Sequence, residues 1–106
     1  MLVTAVTPGQ ELAVTGDVDA STVADLRAAL AEALAAGIGD LRLDCSGLHR
    51  VDATGLGALM SAHRRAQRLD RRLVLVAVPP ALRRLLVVSR LAKVLRVEGD
   101  AGRETA

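Results

Sequence analysis

The sequence predicts an α/β domain on a mostly parallel mixed β-sheet, in the order β-β-α-β-α-β-α-β. Three observations carry this. Apolar residues alternate with polar ones in Leu12–Val18 and Leu41–Cys45, the period of a strand. They recur at three- and four-residue spacing between those segments and after them, the period of a helix. After an N-terminal hairpin the two patterns alternate to the end, and parallel strands joined by helical crossovers read that way. With 106 residues the chain suits one domain. Residues 1–98 are expected to form it, and 99–106 to form a flexible C-terminal tail.

Each element has its own signal. Leu2–Val6 is a short β-prone run, and Pro8-Gly9 is a turn. Leu12, Val14, Gly16 and Val18 alternate with Ala13, Thr15 and Asp17, so the two runs make a hairpin. Asp19–Thr22 offers helix caps, and Val23, Leu26, Leu30 and Leu34 share one face of a helix over Ser21–Ala36. Gly37 is its stop. Leu41–Cys45 is the third strand, closed by Ser46-Gly47, with a loop from Ser46 to Gly55. A second helix over Gly55–Leu69 has Leu56, Leu59, Ala62, Ala66 and Leu69 on its apolar face. Its opposite face carries Ser61, Arg64, Arg65 and Arg68, with Arg72 beyond its end. Leu73–Val78 is continuously apolar and suits a central strand buried on both faces. Pro79-Pro80 opens a third helix, because proline is tolerated at the first helical position. Leu82, Leu85, Leu86 and Ser89 face inward from it, and Val94, Leu95 and Val97 mark a last short strand.

Composition excludes several functions. No Phe, Tyr or Trp occurs, so base-stacking platforms and aromatic cages are out. The core must be aliphatic, drawn from 19 Ala, 18 Leu and 13 Val. The net charge is only +2, without the clustered basic excess of a direct nucleic-acid binder. The lone Cys45 forms no internal disulfide and no cysteine-based zinc site, and it fits a reducing compartment. No apolar run approaches the roughly 18 residues of a membrane span. The first residues show no signal-peptide pattern, so a cytoplasmic protein is expected.

Catalytic signatures are equally thin. Gly55-Leu56-Gly57 opens like a dinucleotide fingerprint, but Met60 stands at the third glycine. There is no phosphate-loop Gly-Lys-Ser/Thr and no Gly-x-Ser-x-Gly elbow. Cys45 beside His49 reads as a small buried residue rather than a nucleophile, and His63 as a partly exposed helix residue. Asp17, Asp19, Asp44 and Asp52 could gather at one end of the sheet, where carboxylates can do acid–base work. Turn formation and capping account for most of them.

Thr54 is the more informative residue. It stands where a loop meets an amphipathic helix, and the plain reading makes it the N-cap. The functional reading makes it a phosphoacceptor. A phosphate at a helix start meets the positive end of the dipole, and adds about −1.5 to −2 charge beside Asp52. The Ser61/Arg64/Arg65/Arg68 face begins within two turns of Thr54. It is a solvated surface, or a docking face for an acidic partner that includes Thr54.

Leu43-Asp44-Cys45-Ser46-Gly47-Leu48, followed by Val51-Asp52-Ala53-Thr54-Gly55-Leu56-Gly57-Ala58-Leu59, resembles the central motif of STAS domains. These are the sulphate-transporter and anti-sigma-factor-antagonist domains. Gly16-Asp17-Val18-Asp19 and Pro80–Leu86 resemble the segments that flank it. The resemblance spans nearly the whole chain. It implies a stand-alone anti-anti-sigma factor, which is not an enzyme and needs no cofactor of its own. Such a protein binds an anti-sigma factor that is a serine/threonine kinase of the histidine-kinase-like ATPase fold, and so frees the sigma factor. Phosphorylation of the residue before Gly-Leu-Gly, here Thr54, ends binding, and a phosphatase restores it. The implied interface comprises Asp17, Asp19, Ser21, Asp52, Ala53, Thr54, Gly55, Leu56, Gly57, Ser61, Arg64 and Arg65. Ala53 replaces the motif's usual first serine, and Arg90 and Asp70-Arg71-Arg72 stand where glycine turns are common. The alternative is a STAS subunit of a membrane lipid-transport complex, not phosphorylated, with Thr54 an ordinary cap.

Overall fold

The computed structural model describes residues 1–98. The expected tail, 99–106, lies outside them. The elements are β1 (Leu2–Thr7), β2 (Glu11–Val18), α1 (Val23–Ala36), β3 (Asp40–Val51), α2 (Ala53–Arg68), β4 (Arg72–Val76), α3 (Pro80–Val88), a 3₁₀ turn at Leu91–Lys93, and β5 (Arg96–Glu98). The strands form one sheet in the order β1-β2-β3-β4-β5. The hairpin β1–β2 is antiparallel, and β2–β3, β3–β4 and β4–β5 are parallel. The predicted order and sheet type are therefore present.

Spatial order equals chain order, so each crossover steps to the neighbouring strand. Right-handed crossovers of that kind all fall on one face of the sheet. Burial agrees. Leu12 and Val14 of β2, Leu41, Leu43 and Cys45 of β3, and Leu73 and Leu75 of β4 share one core with Leu26, Leu30, Leu34, Leu59, Ala62 and Leu82 from the helices. Arg42 and Asp44 alternate with the core residues along β3 and are only half-buried. On their face two ion pairs cross the sheet: Arg42–Glu98 at 2.6 Å, and Arg72–Asp40, in which two guanidinium nitrogens meet the two carboxylate oxygens. Val74 is fully buried yet belongs to no core cluster, and its sheet partners are Arg42 and Arg96. The run Leu73–Leu75 is thus buried on both faces as predicted. The strand is not central, however: β3 holds that place and β4 lies beside the edge strand β5.

The largest departure is β3, which runs six residues past Cys45 to Val51. Ser46-Gly47 does not close it. The parallel register with β2 shifts between Ala13 and Thr15 and again between Gly16 and Asp17, so β3 carries extra residues past its partner. Such bulges break the two-residue alternation by which a strand is recognised. The expected ten-residue loop therefore reduces to Asp52. α1 begins at Val23 rather than Ser21, and β5 at Arg96 rather than Val94. Leu69 and Ser89, expected to face inward, are exposed C-caps of α2 and α3. Arg72 belongs to β4 and pairs with Asp40, so it is not part of the α2 surface.

The end of α1 is tied down in a way its own sequence does not announce. Its last turn contains no basic residue to meet the exposed carbonyls. Arg71, next to β4, supplies the charge from a distance and is buried. Its guanidinium donates to the carbonyls of Ala33 and Leu34 in α1, of Gly9 in the hairpin turn, and of Gly39. A Cβ on Gly37 would lie 2.3 Å from the Gly9 oxygen, so the α1 terminus and the hairpin turn meet backbone to backbone.

Candidate functional site

The carboxyl ends of β2 and β3 converge on the start of α2, where open parallel sheets place their sites. Asp52 makes the junction. In extended backbone (φ −98°, ψ −172°) it caps α2, accepting the N–H groups of Thr54 at 2.9 Å and Gly55 at 3.1 Å on one carboxylate oxygen. Its own N–H donates to the Val18 carbonyl, which locks the site to the end of β2. The N-cap expected at Thr54 is therefore Asp52. A carboxylate one residue before the helix reaches the orphan N–H groups of the first turn. Thr54 is instead the second residue of α2, half-buried, and its hydroxyl takes no part in the cap.

Gly55 explains how close this junction is. A Cβ there would lie 2.7 Å from Val51 Cγ1 and 2.9 Å from Val18 Cγ1. Gly57 has open space beside it, with Arg27 Nη2 nearest at 3.8 Å. The two glycines of the motif thus differ: the first lets α2 sit on the strand ends, and the second keeps the outer surface bare.

The neighbouring loop is tied by its own hydrogen bonds. The Asp19 carboxylate accepts the N–H of Ser21 at 2.9 Å and its hydroxyl at 2.7 Å. Thr22 Oγ1 accepts the Asp19 N–H and donates to the Asp17 carbonyl, both at 3.0 Å. The Ser21 hydroxyl and N–H, followed by Thr22, hold the Asp19 carboxyl below the usual carboxylate range. Asp19 thus presents a fixed negative charge at this end of the molecule.

A cleft of about 420 Å³ lies between these parts. Asp17, Asp19 and Asp52 line it together with His49, Arg50 and the first turns of α3, including Ala81 and Leu85. Three of the four predicted aspartates therefore meet. Asp44 does not: it sits on the opposite sheet face and holds the Ser46 N–H. Arg50 stands in register with Asp17 across the β2–β3 pair. It was missed because its segment reads as loop once the alternation fails.

On α2 the helical spacing sets Thr54, Gly57, Ser61, Arg65 and Arg68 along one stripe, with Arg64 and Ala53 at its edge. Ser61, Arg65 and Arg68 border a groove against α1, and Arg27 of α1 donates to Ser61 Oγ at 3.4 Å. Arg27 adds a fourth cation that the sequence reading did not include. Its outward position beside the buried Leu26 was the available signal. Leu56, expected at the interface, is buried in the core and can only position its neighbours. Cys45 is fully buried, and burial raises its thiol to about 12, so it is no nucleophile.

A family model described as "Mlab, STAS domain" matches residues 3–103. The chain belongs to the STAS domain family. Solved structures agree with the fold of this STAS domain. The anti-sigma factor antagonist SpoIIAA in its unphosphorylated form superposes with a TM-score of 0.69 at 18% identity, over 92% of this chain and 86% of that one. An anti-sigma factor antagonist from Mycobacterium paratuberculosis superposes with a TM-score of 0.76 at 25% identity, over 91% and 81%. Among the described residues of this STAS domain, no helix is long and apolar enough to cross a membrane.

Proposed function

We propose that this STAS domain is an anti-sigma factor antagonist that binds an anti-sigma factor kinase of the histidine-kinase-like ATPase fold and is released by phosphorylation of Thr54. One observation carries the reading: Asp52 performs the capping, so the Thr54 hydroxyl is left available at the start of α2. The structural likeness to anti-sigma factor antagonists supports the general role, and that family is generally non-enzymatic.

The docking surface combines the Asp17–Ser21 loop, the Asp52–Gly57 turn and the Ser61/Arg64/Arg65 stripe. The kinase brings ATP and magnesium. As the Thr54 Oγ1–phosphorus bond forms, the bond from the γ-phosphorus to the bridging oxygen breaks and ADP leaves. The hydroxyl proton passes to a base on the kinase. The domain supplies the hydroxyl and its position. The product carries about −1.5 to −2 charge at an end already holding Asp17, Asp19 and Asp52. The helix dipole lets the fold tolerate that charge, while a surface matched to the unmodified domain is repelled. A phosphatase restores the hydroxyl.

A second reading has its own support, because the matching family model is described by Mlab rather than by an antagonist. There the domain is a subunit of a membrane lipid-transport complex, and Thr54 is never modified. Affinity capture from host lysate separates the two. A histidine-kinase-like ATPase among the captured proteins, with phosphoryl on Thr54 in the unbound pool, is the expected result. Permease and ATP-binding-cassette subunits, with Thr54 unmodified, would establish the transport reading instead.

A further inference from the structure

Charge is distributed unevenly along this chain. Between Arg71 and Val97 there is no Asp or Glu, although that stretch holds 7 of the 14 cations. Exposed apolar side chains concentrate in the same stretch. Of the eight large ones among the described residues, Leu85, Val87, Val88 and Val94 fall within ten positions. α3 is the centre of this. Its inward face holds Leu82 and Leu86. Its outward face, where a surface helix normally carries polar groups, holds Pro80, Ala81, Arg84, Val87 and Val88. Val87 is 61% and Val88 77% exposed. Arg84 lies one turn before both valines, and Arg90 and Lys93 follow them in the exposed turn that ends at Val94.

We propose that the outward face of α3 and the turn after it, formed by Arg84, Val87, Val88, Arg90, Lys93 and Val94, docks on an anionic lipid surface. Two features favour a bilayer. The valines stand on the crest of a helix rather than in a groove, and a deformable interface can receive a convex apolar ridge. The cations flank that ridge in a stretch whose sequence, from Arg71 to Val97, carries no carboxylate, which is the arrangement by which interfacial helices meet anionic headgroups. Ala81 and Leu85 line the cleft that Asp17, Asp19 and Asp52 share, so those acids adjoin the first turns of α3, whereas Val87, Val88 and Val94 do not line it. The proposal does not depend on whether Thr54 is phosphorylated.

The test is sedimentation of the full chain with vesicles of phosphatidylcholine alone and of phosphatidylcholine mixed with phosphatidylserine. Binding is expected to the mixed vesicles only, and to fall at high salt. Val88→Asp and the pair Arg84→Glu/Arg90→Glu should each lower it about tenfold. Val6→Asp, an exposed change on the far hairpin, should leave it intact. All these positions are exposed, and circular dichroism checks that each variant is folded. No binding to mixed vesicles, equal binding to neutral ones, or binding indifferent to Val88→Asp would overturn the proposal. Equal binding of soluble polyglutamate, also indifferent to Val88→Asp, would replace the bilayer by an acidic chain.

Discussion

Thr54, Asp52 and Gly55 divide one small task. Asp52 holds the first amides of α2, Gly55 lets the helix approach Val18 and Val51, and Thr54 presents a hydroxyl that the fold does not use. Gly55 and Gly57, alike in the sequence, are therefore expected to behave oppositely. Gly55→Ala should destabilise by roughly 1–3 kcal/mol, because the new methyl overpacks against two branched side chains. Gly57→Ala should be neutral or stabilising by up to about 1 kcal/mol, from helix propensity alone. Urea unfolding of the two variants checks this, and a similar loss in both would contradict it. The motif itself was legible in the sequence, down to the acceptor position proposed here. The capping role was not, because Asp and Thr two positions apart are both good N-caps and only the backbone conformation of Asp52 selects between them.

At the scale of the element, the ends matter more than the middles. Arg71 serves the C-terminus of α1, the hairpin turn and the start of β3 through carbonyl oxygens alone. Arg71→Met should cost about 3 kcal/mol or more, since several buried acceptors lose a charged donor at once. Arg71→Lys should recover only part of that, lacking the fork. Thermal unfolding of both variants reads the difference, and equal stability of Arg71→Met and wild type would refute the role. Arg90 follows α3 with φ at 67°, the left-handed region, and is not glycine. Arg90→Gly should raise stability by roughly 0.5–1 kcal/mol once the unfolded-state entropy is counted. A fall in Tm would show that its side chain contributes more than the strain removes. Sequence reading marked Asp70 and Arg90 as places where a glycine turn is common, and both have positive φ. It treated Arg71 as surface charge, because an arginine whose partners are all backbone carbonyls far away in the chain leaves no pattern of its own. β3 was cut short for a related reason: its bulges put Gly47 and Leu48 out of phase with Leu41, Leu43 and Cys45.

The whole molecule is a two-layer domain. Its helices cover one sheet face, and ion pairs run across the other. The element order and the mostly parallel sheet were legible in the alternation of patterns. The one-sided layering was not, because it depends on the spatial order of the strands, which puts β3 rather than Leu73–Val78 at the centre. Three groups among the described residues give its stability a dependence on pH. Hydrogen bonds from Ser21 lower the Asp19 carboxyl, and the bond from Arg72 lowers Asp40. A carboxyl lowered in the folded state contributes stability above its unfolded value of 3.8, and that contribution is lost as pH falls through the folded value. Asp19→Asn/Asp40→Asn should therefore lower stability at neutral pH and flatten the acid limb. Cys45 has the opposite sign: burial raises its thiol from 9.0 to about 12, so its contribution is complete below pH 9 and is lost across the window up to 12. Cys45→Ala should flatten the alkaline limb. Urea midpoints across pH test both, and an unchanged acid limb in the double variant would place the acid sensitivity elsewhere.

The central claim is that Thr54 switches a binding surface, and one measurement addresses it directly. The captured kinase is titrated with the domain before and after incubation with ATP and magnesium, with Thr54→Ala alongside, and the modified residue is located by mass spectrometry. The account predicts a single phosphoryl group on Thr54, at least tenfold weaker binding afterwards (about 1.4 kcal/mol), and a Thr54→Ala domain that binds normally and never changes. A phosphoryl group on Ser46 or Ser61 with Thr54 unmodified, or equal affinity before and after modification of Thr54, would contradict it.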